Sequence, residues 1–271
     1  MKIWKYNLLL IEKQKVIYFI LCALMIFSLS DILIVFTKNY EWIAYAQNCP
    51  SADYLSILTY PFLRIAPFLI FGLPFLFNKL LADSTFMELK QGNCAFLHTR
   101  MDYMKNILIR YFLSIILVFL LSCFCFFLNY ISFSIIFGNG NMVTYRSDLP
   151  FMQEVSAKWF LDTLKFDNPM MYSIMLMLHI SMIYALLAGL SYALSFLFKK
   201  RILIYFSSMI LIIVVEFITM ILKIPHLSIM LQLQLNSVFD VSDAFLLYFI
   251  LFLSGIATLC VFLFKKKDLL L

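Results

Sequence analysis

The sequence predicts an all-α integral membrane protein with six transmembrane helices, and three observations lead to this prediction. Of the 271 residues, 64% are hydrophobic and 13% are charged, and the mean hydropathy is +0.95. A soluble domain has about 45–50% apolar and about 25% charged residues, so lipid must cover most of this surface. Long apolar stretches alternate with short polar segments, and basic residues crowd into every second segment. Because lipid offers no hydrogen bonds to the backbone, these stretches are helices.

The six spans follow from the length of each apolar stretch, since roughly 20 apolar residues cross a bilayer. The predicted spans are 16–37, 55–77, 107–137, 171–197, 202–222 and 244–264. The third and fourth are longer than needed, which predicts that they tilt or extend beyond the bilayer. In the segment 223–242, the residues after Pro225 (226–242) remain rich in Leu and Ile, so they form a loop or, as we favour, a partly re-entrant hairpin. Residues 1–271 then make a single transmembrane domain.

The distribution of Lys and Arg predicts the orientation. Fifteen of them lie in the N-terminal tail, in the second-to-third and fourth-to-fifth connections and at the C-terminus, and five lie in the other connections. The positive-inside rule therefore places both termini in the cytoplasm. Residues 1–15 mix lysines with Trp4 and a Leu run, which predicts an amphipathic interfacial helix. In the external loop 138–170, apolar residues at helical spacing around Trp159 predict a short amphipathic helix.

Four ionisable residues lie well inside predicted spans, away from their cytoplasmic ends and all in the outer half of the membrane. They are Asp31, Arg64, His179 and Glu216. Such groups are costly in lipid and face a partner or a wet cavity, so one interpretation is the polar lining of a pathway. The alternative is structural: Asp31 pairs with Arg64 to offset the cost of burial, and the other two bond to hydroxyl groups or to the backbone. The sequence leaves both interpretations open.

The segment 78–106 is the one sizeable cytoplasmic loop in this topology. The Asp-Ser-Thr run that begins at Asp83 can cap a short helix over 83–91, and Gly92-Asn93 then ends it. Exposed Phe86 and Met87 beside charges such as Glu88 are typical of a helix that docks into a groove of a partner. A solvated turn that merely joins two spans is the alternative.

In these features the chain resembles the membrane subunits of type-2 ABC transporters, a permease class used largely for export. The shared topology is six spans, both ends inside, a basic amphipathic leader, one dominant cytoplasmic loop and a Pro-interrupted segment before the last span. Topology is matched along the whole chain, but the sequence pattern covers only about 25 residues. That pattern comprises Asp83, Glu88 and Gly92, followed by Thr99-Arg100, Asp102-Tyr103 and Lys105.

The resemblance implies that 83–91 is a coupling helix held in a cleft of a separate cytoplasmic ABC ATPase. The implied coupling residues are Asp83, Phe86, Met87, Glu88 and Arg100. It also implies a dimer with a second permease copy or a paralogue, and export of an amphipathic substrate such as a peptide, a lipid or a drug. The extreme Phe, Ile and Leu usage most resembles peptide- or lantibiotic-type export and immunity permeases, which implies the cell membrane of a Gram-positive bacterium.

Other classes find little support in the sequence. No GxxxxGK[ST] motif is present, so this chain is not expected to bind nucleotide, and ATP with Mg²⁺ is expected on the partner. We expect no enzyme activity, metal or other cofactor, because the three histidines lie in three segments without metal-ligand spacing. Basic residues beside spans suit anionic headgroups better than nucleic acid. The remaining alternative is a non-transporting membrane immunity or signalling adaptor protein.

Overall fold

The computed structural model describes residues 7, 15–38, 68–80, 82–90, 103–137, 161, 164, 168–234 and 240–267. Within these residues every regular element is helical. The elements are α1 (Lys15–Lys38), a π-helix (Phe68–Gly72), α2 (Leu73–Asn78), α3 (Ala82–Lys90), α4 (Tyr103–Phe137), α5 (Pro169–Ser195), α6 (Arg201–Tyr205), α7 (Ser207–Leu222), a 3₁₀-helix (Pro225–Leu227), α8 (Ile229–Gln234) and α9 (Val241–Lys267).

Four helices are long and apolar enough to cross a membrane, namely α1, α4, α5 and α9. They coincide with the first, third, fourth and sixth predicted spans, so the all-helical membrane prediction is confirmed for the described residues. With 35 residues, α4 is about 52 Å long at 1.5 Å per residue, well beyond a hydrocarbon core of about 30 Å. The full count of six spans and the cytoplasmic placement of the termini stay predictions.

Helix α5 lies at the centre of the bundle. In its apolar window 78% of the residues are buried, against 22% in α9, because α5 packs on α4 along one side and on α9 along another. Small residues allow this close approach. A Cβ atom at Gly189 of α5 would lie 2.7 Å from Ile115 of α4, and one at Gly255 of α9 would lie 2.4 Å from the Tyr111 hydroxyl of α4.

The outer surfaces of α1, α4, α7 and α9 carry large exposed apolar side chains. Ile26 is 68% exposed, Phe217 is 64% exposed and Ile221 is 75% exposed. A soluble monomer does not usually expose so many large apolar side chains to water. Since helices satisfy their own backbone groups, this outer belt suits contact with lipid tails.

The predicted fifth span, 202–222, is not one helix, and this is a correction to the sequence prediction. It is divided at Phe206 into α6 and α7. The buried amide of Asn78, at the end of α2, lies 3.1 Å from the Tyr205 carbonyl oxygen and 2.8 Å from the Ser208 hydroxyl. This tertiary contact satisfies backbone groups that a helix break exposes. The 16 residues of α7 extend about 24 Å, so α7 is shorter than each of the four candidate spans.

Beyond α7 the chain reverses direction. Lys223 adopts the left-handed conformation with φ 55°, which ends the helix, and Pro225 opens the 3₁₀-helix. Helix α8 then packs against α7, so the segment turns back alongside the helix that it follows. Re-entry of this segment into the bilayer, which the sequence favoured, stays a prediction. Most of the predicted helices in 1–15 and 138–170 lie outside the described residues.

Candidate functional site

The candidate site is built around α3, which occupies Ala82–Lys90, one residue from the predicted range 83–91. Asp83 lies in its first turn and Lys90 in its last, an order of charge that complements the helix dipole. Gly92-Asn93, the predicted terminator, lies outside the described residues. The helix packs against the end of α5 and against α6.

The first anchor of α3 is the pair between Asp83 and Arg201. Arg201 donates from Nε to one carboxylate oxygen of Asp83 at 2.6 Å and from Nη2 to the other at 2.7 Å. The Asp83 side chain is 10% exposed and that of Arg201 is 49% exposed. The hydrogen bonds that Arg201 donates to Asp83, helped by the negative charge of Asp83, raise the pKa of the Arg201 guanidinium above its usual range. This two-point contact ties the start of α3 to the start of α6.

The second anchor is the pair between Glu88 and Arg110 of α4. Arg110 donates to the two carboxylate oxygens at 2.6 and 3.2 Å. Its Nε also donates to Asn7 at 2.8 Å, and the Asn7 amide donates to Asn106 at 2.9 Å. Arg110 is 3% exposed, so this guanidinium is buried and depends on these partners. The network joins α3, α4 and a residue of the N-terminal segment.

The exposure predicted for Phe86 is wrong. Phe86 is 6% exposed and belongs to a buried cluster with Tyr111, Tyr192 and Ile204, because α3 lies against the ends of three apolar helices. Met87 is partly buried beside the same cluster. Ser84, Met87 and Lys90 recur at a spacing of three residues and keep part of their surface exposed. We call these three residues the outer face of α3.

Two of the predicted site residues lie outside the described residues. They are Arg100, predicted as a coupling residue, and Arg64, predicted as an intramembrane partner of Asp31. Their assigned roles therefore stay predictions.

Asp31 lies at the contact of α1 with α4 and is fully buried. The Asn129 amide lies 3.2 Å from its carboxylate and 3.3 Å from the Ser28 carbonyl oxygen. A neutral amide of α4 thus solvates this carboxylate and also bonds to the backbone of α1. This arrangement supports the structural interpretation of Asp31.

His179 of α5 is buried at the contact with α9. Its Nδ1 makes a short hydrogen bond with the Tyr248 hydroxyl. The histidine therefore links α5 to α9. The interpretation of His179 as a satisfied packing residue stays a prediction.

Glu216 of α7 holds the reversed segment in place. Its carboxylate accepts hydrogen bonds from the Ser228 hydroxyl at 2.7 Å and from the Met230 backbone N–H at 2.8 Å. Ser228 in turn accepts from the Leu231 N–H at 3.1 Å, as a residue that caps a helix N-terminus does. The side chain of Glu216, which belongs to α7, thus caps the N-terminus of α8 together with Ser228.

The four predicted intramembrane residues do not form one described cluster. Glu216 contacts Ser228 and Met230 at the start of α8, His179 contacts Tyr248 of α9, and Asp31 contacts Asn129 of α4. Each of the three described residues thus has protein partners on a different element. A lining of one shared pathway stays a hypothesis.

Sequence reasoning missed the partners that give α3 its anchors. Arg110 and Arg201 entered only as charges that set orientation, and Asn7 and Asn78 were not singled out. The position of Arg110, just inside the predicted span 107–137, was a usable signal because a charge at that depth requires a partner. The sequence does not show that Glu88 is this partner, because the pairing depends on tertiary packing.

The fold and site define a class: an all-helical membrane protein with four described candidate spans and a short helix anchored at one end of the bundle. No protein-family model, curated protein or solved structure matches the chain.

Proposed function

We propose that this chain is the membrane-spanning subunit of an ATP-driven ABC transporter whose ATPase is a separate polypeptide. The observation that carries the proposal is the double anchoring of α3. Arg201 and Arg110 hold opposite ends of this short helix, and each belongs to a different helix of the bundle. A helix that must transmit force needs rigid attachment to the elements that it moves.

The proposed movement starts at the outer face of α3, where the ATPase docks. Two-point arginine–carboxylate contacts fix distance and direction, so a displacement of α3 is passed to α4 through Glu88 and to α6 through Asp83. Helix α5 packs against both α3 and α4, and the bundle then moves by small rigid-body shifts of packed helices. ATP and Mg²⁺ act on the partner ATPase alone.

The proposed transport direction is export, and the proposed substrate is amphipathic: a peptide, a lipid or a drug. The described helices offer apolar surface with a few polar groups, which suits such molecules better than ions. A second permease copy or a paralogue completes the pathway. The proposed location is the cell membrane of a Gram-positive bacterium, with both termini in the cytoplasm.

The test is to purify the chain together with the products of its neighbouring genes, to ask whether an ATPase co-purifies and to measure ATP hydrolysis. Met87→Asp changes the outer face of α3 and leaves both anchors in place. Met104→Asp is the matched control, since Met104 is 44% exposed near the start of α4. We expect Met87→Asp to lose the ATPase partner and its stimulated hydrolysis, and Met104→Asp to keep both.

Two outcomes contradict the proposal. If no ATPase co-purifies with the unaltered chain, the transport function is wrong. If the two methionine variants behave alike, α3 is not the docking element. An ATPase that binds without any change in hydrolysis favours the immunity or adaptor alternative.

A further inference from the structure

An apolar groove runs along α1 where it faces the π-helix and α2. Its volume is ≈ 550 Å³. The α1 side is lined at helical spacing from Phe19 to Ser30, a length of about 16 Å, and the other side includes Gly72 and Phe75. The Ser30 hydroxyl donates within its own helix, to the Phe27 carbonyl oxygen at 2.8 Å. The groove therefore offers almost only carbon surface.

A positive charge stands at one end of this groove. The Lys79 ammonium lies over the Phe19 ring, 5.1 Å from its centroid, and Lys79 directly follows α2. Among the described residues no carboxylate pairs with it. Lys15 lies one helical turn before Phe19 on α1 and is exposed, so a second lysine belongs to the same end by helical register.

We propose that this groove binds one acyl chain of an anionic phospholipid, with the phosphate of the headgroup at Lys79. The carbon-lined cleft complements an acyl chain, and the lysine at its end complements a negative headgroup. A second copy of the chain packed on the groove would gain from the apolar surface but not from the charge. The charge at the end of the groove therefore favours an anionic lipid over a second copy of the chain as the occupant. This site does not depend on the proposed transport function.

Two variants separate the contributions of the chain and the headgroup. Ala23→Phe puts a ring into the groove, and its matched control is Ala257→Phe on the exposed side of α9. Lys79→Gln removes the charge and keeps a long polar side chain. Its control is Lys199→Gln, an exposed lysine in the connection between α5 and α6.

The measurement is native mass spectrometry of the full chain, purified in the presence of equal amounts of phosphatidylglycerol and phosphatidylcholine. We expect the unaltered chain to retain one phosphatidylglycerol. Lys79→Gln should lower the phosphatidylglycerol-to-phosphatidylcholine ratio about fivefold, the effect of one lysine near a membrane surface. Ala23→Phe should lower retention of both lipids, and the two controls should match the unaltered chain.

A second readout locates the lipid. Phosphatidylglycerol with a photoreactive diazirine in the middle of its chain should crosslink to peptides from 15–38 and 68–80, and Ala23→Phe should abolish the crosslink. Equal retention of the two lipids by the unaltered chain, or an unchanged ratio in Lys79→Gln, overturns the proposal. So does a change of oligomeric state in Ala23→Phe without loss of lipid, which would identify a second copy as the occupant. Because the Lys79 side chain is partly exposed, its variant decides the matter even if Ala23→Phe fails to fold.

Discussion

Breaking the Glu88–Arg110 pair should destabilise the protein far more than breaking the pair between Asp83 and Arg201. Both pairs are two-point contacts with a shortest distance of 2.6 Å, but their burial differs. The arginine of the first pair is 3% exposed and that of the second is 49% exposed. Loss of one partner from a buried pair costs about 3–5 kcal/mol, whereas exposed pairs contribute about 0–1 kcal/mol.

From these values we expect Glu88→Gln to lower the free energy of unfolding by about 2–4 kcal/mol. The lower end is included because the Glu88 side chain is 18% exposed and Arg110 retains Asn7. Asp83→Asn should cost about 1 kcal/mol or less, because the arginine that it leaves unpaired is 49% exposed. The double variant of Glu88→Gln and Arg110→Gln should lose less than the sum of its singles by about 1–3 kcal/mol, because the second change removes a charge that is already unpaired.

Unfolding can be followed in detergent with a thiol-reactive dye once the other five cysteines are replaced by Ser, because Cys22 and Cys260 are exposed whereas Cys125 is 1% exposed in the folded chain. Lys90→Gln on the same helix is the control and should stay within about 0.5 kcal/mol. Equal losses for Glu88→Gln and Asp83→Asn would refute the argument from burial of the two arginines. Strict additivity in the double variant would refute the energetic coupling of Glu88 with Arg110.

Two further predictions concern the packing and the reversed segment. Gly255→Ala should cost about 1–3 kcal/mol of stability through overpacking, since the new methyl group meets the Tyr111 hydroxyl at 2.4 Å. Adding Tyr111→Phe should restore part of the lost stability in the same dye assay. If no stability is recovered, the steric strain lies elsewhere. Glu216→Leu should increase hydrogen exchange at the Met230 and Leu231 amides by about tenfold or more, because a hydrogen bond to a charged group contributes about 1.5–3 kcal/mol. Exchange that rises equally throughout α7 would instead indicate general unfolding, and Ser228→Ala should give a smaller local increase.

The long helices could be predicted from the sequence because length and apolarity are properties of one segment. Residues 16–37 and 244–264 needed no knowledge of their neighbours to be identified as spans, and the structure places α1 and α9 there. The break at Phe206 was not predictable in this way. Its cause is the amide of Asn78, which lies 128 residues away in sequence and reaches the break only after folding.

The prediction of the candidate site was limited in the same way, because contacts distant in sequence decide which residues are buried. The short helix and its charged ends followed from local signals, but nine residues are too few for hydrophobic spacing to tell the buried side from the exposed side. Phe86 was therefore assigned to the surface, although the apolar ends of α4, α5 and α9 offer it a buried position. The burial of the arginine partner also decides which carboxylate has the larger energetic effect, and the sequence around Glu88 does not show that its partner is the buried Arg110.

The two anchors of α3 also differ in how much of the polypeptide must be synthesised before each can form. Glu88 and Arg110 are 22 residues apart, while Asp83 and Arg201 are separated by 118. A nascent chain can therefore fasten the C-terminal end of α3 as soon as the start of α4 has emerged from the ribosome. The N-terminal end must wait until α4 and α5 are both in place. Assembly thus has an order: the contact between Glu88 and Arg110 can form early, and the contact between Asp83 and Arg201 forms later, when α3 is already attached at its other end.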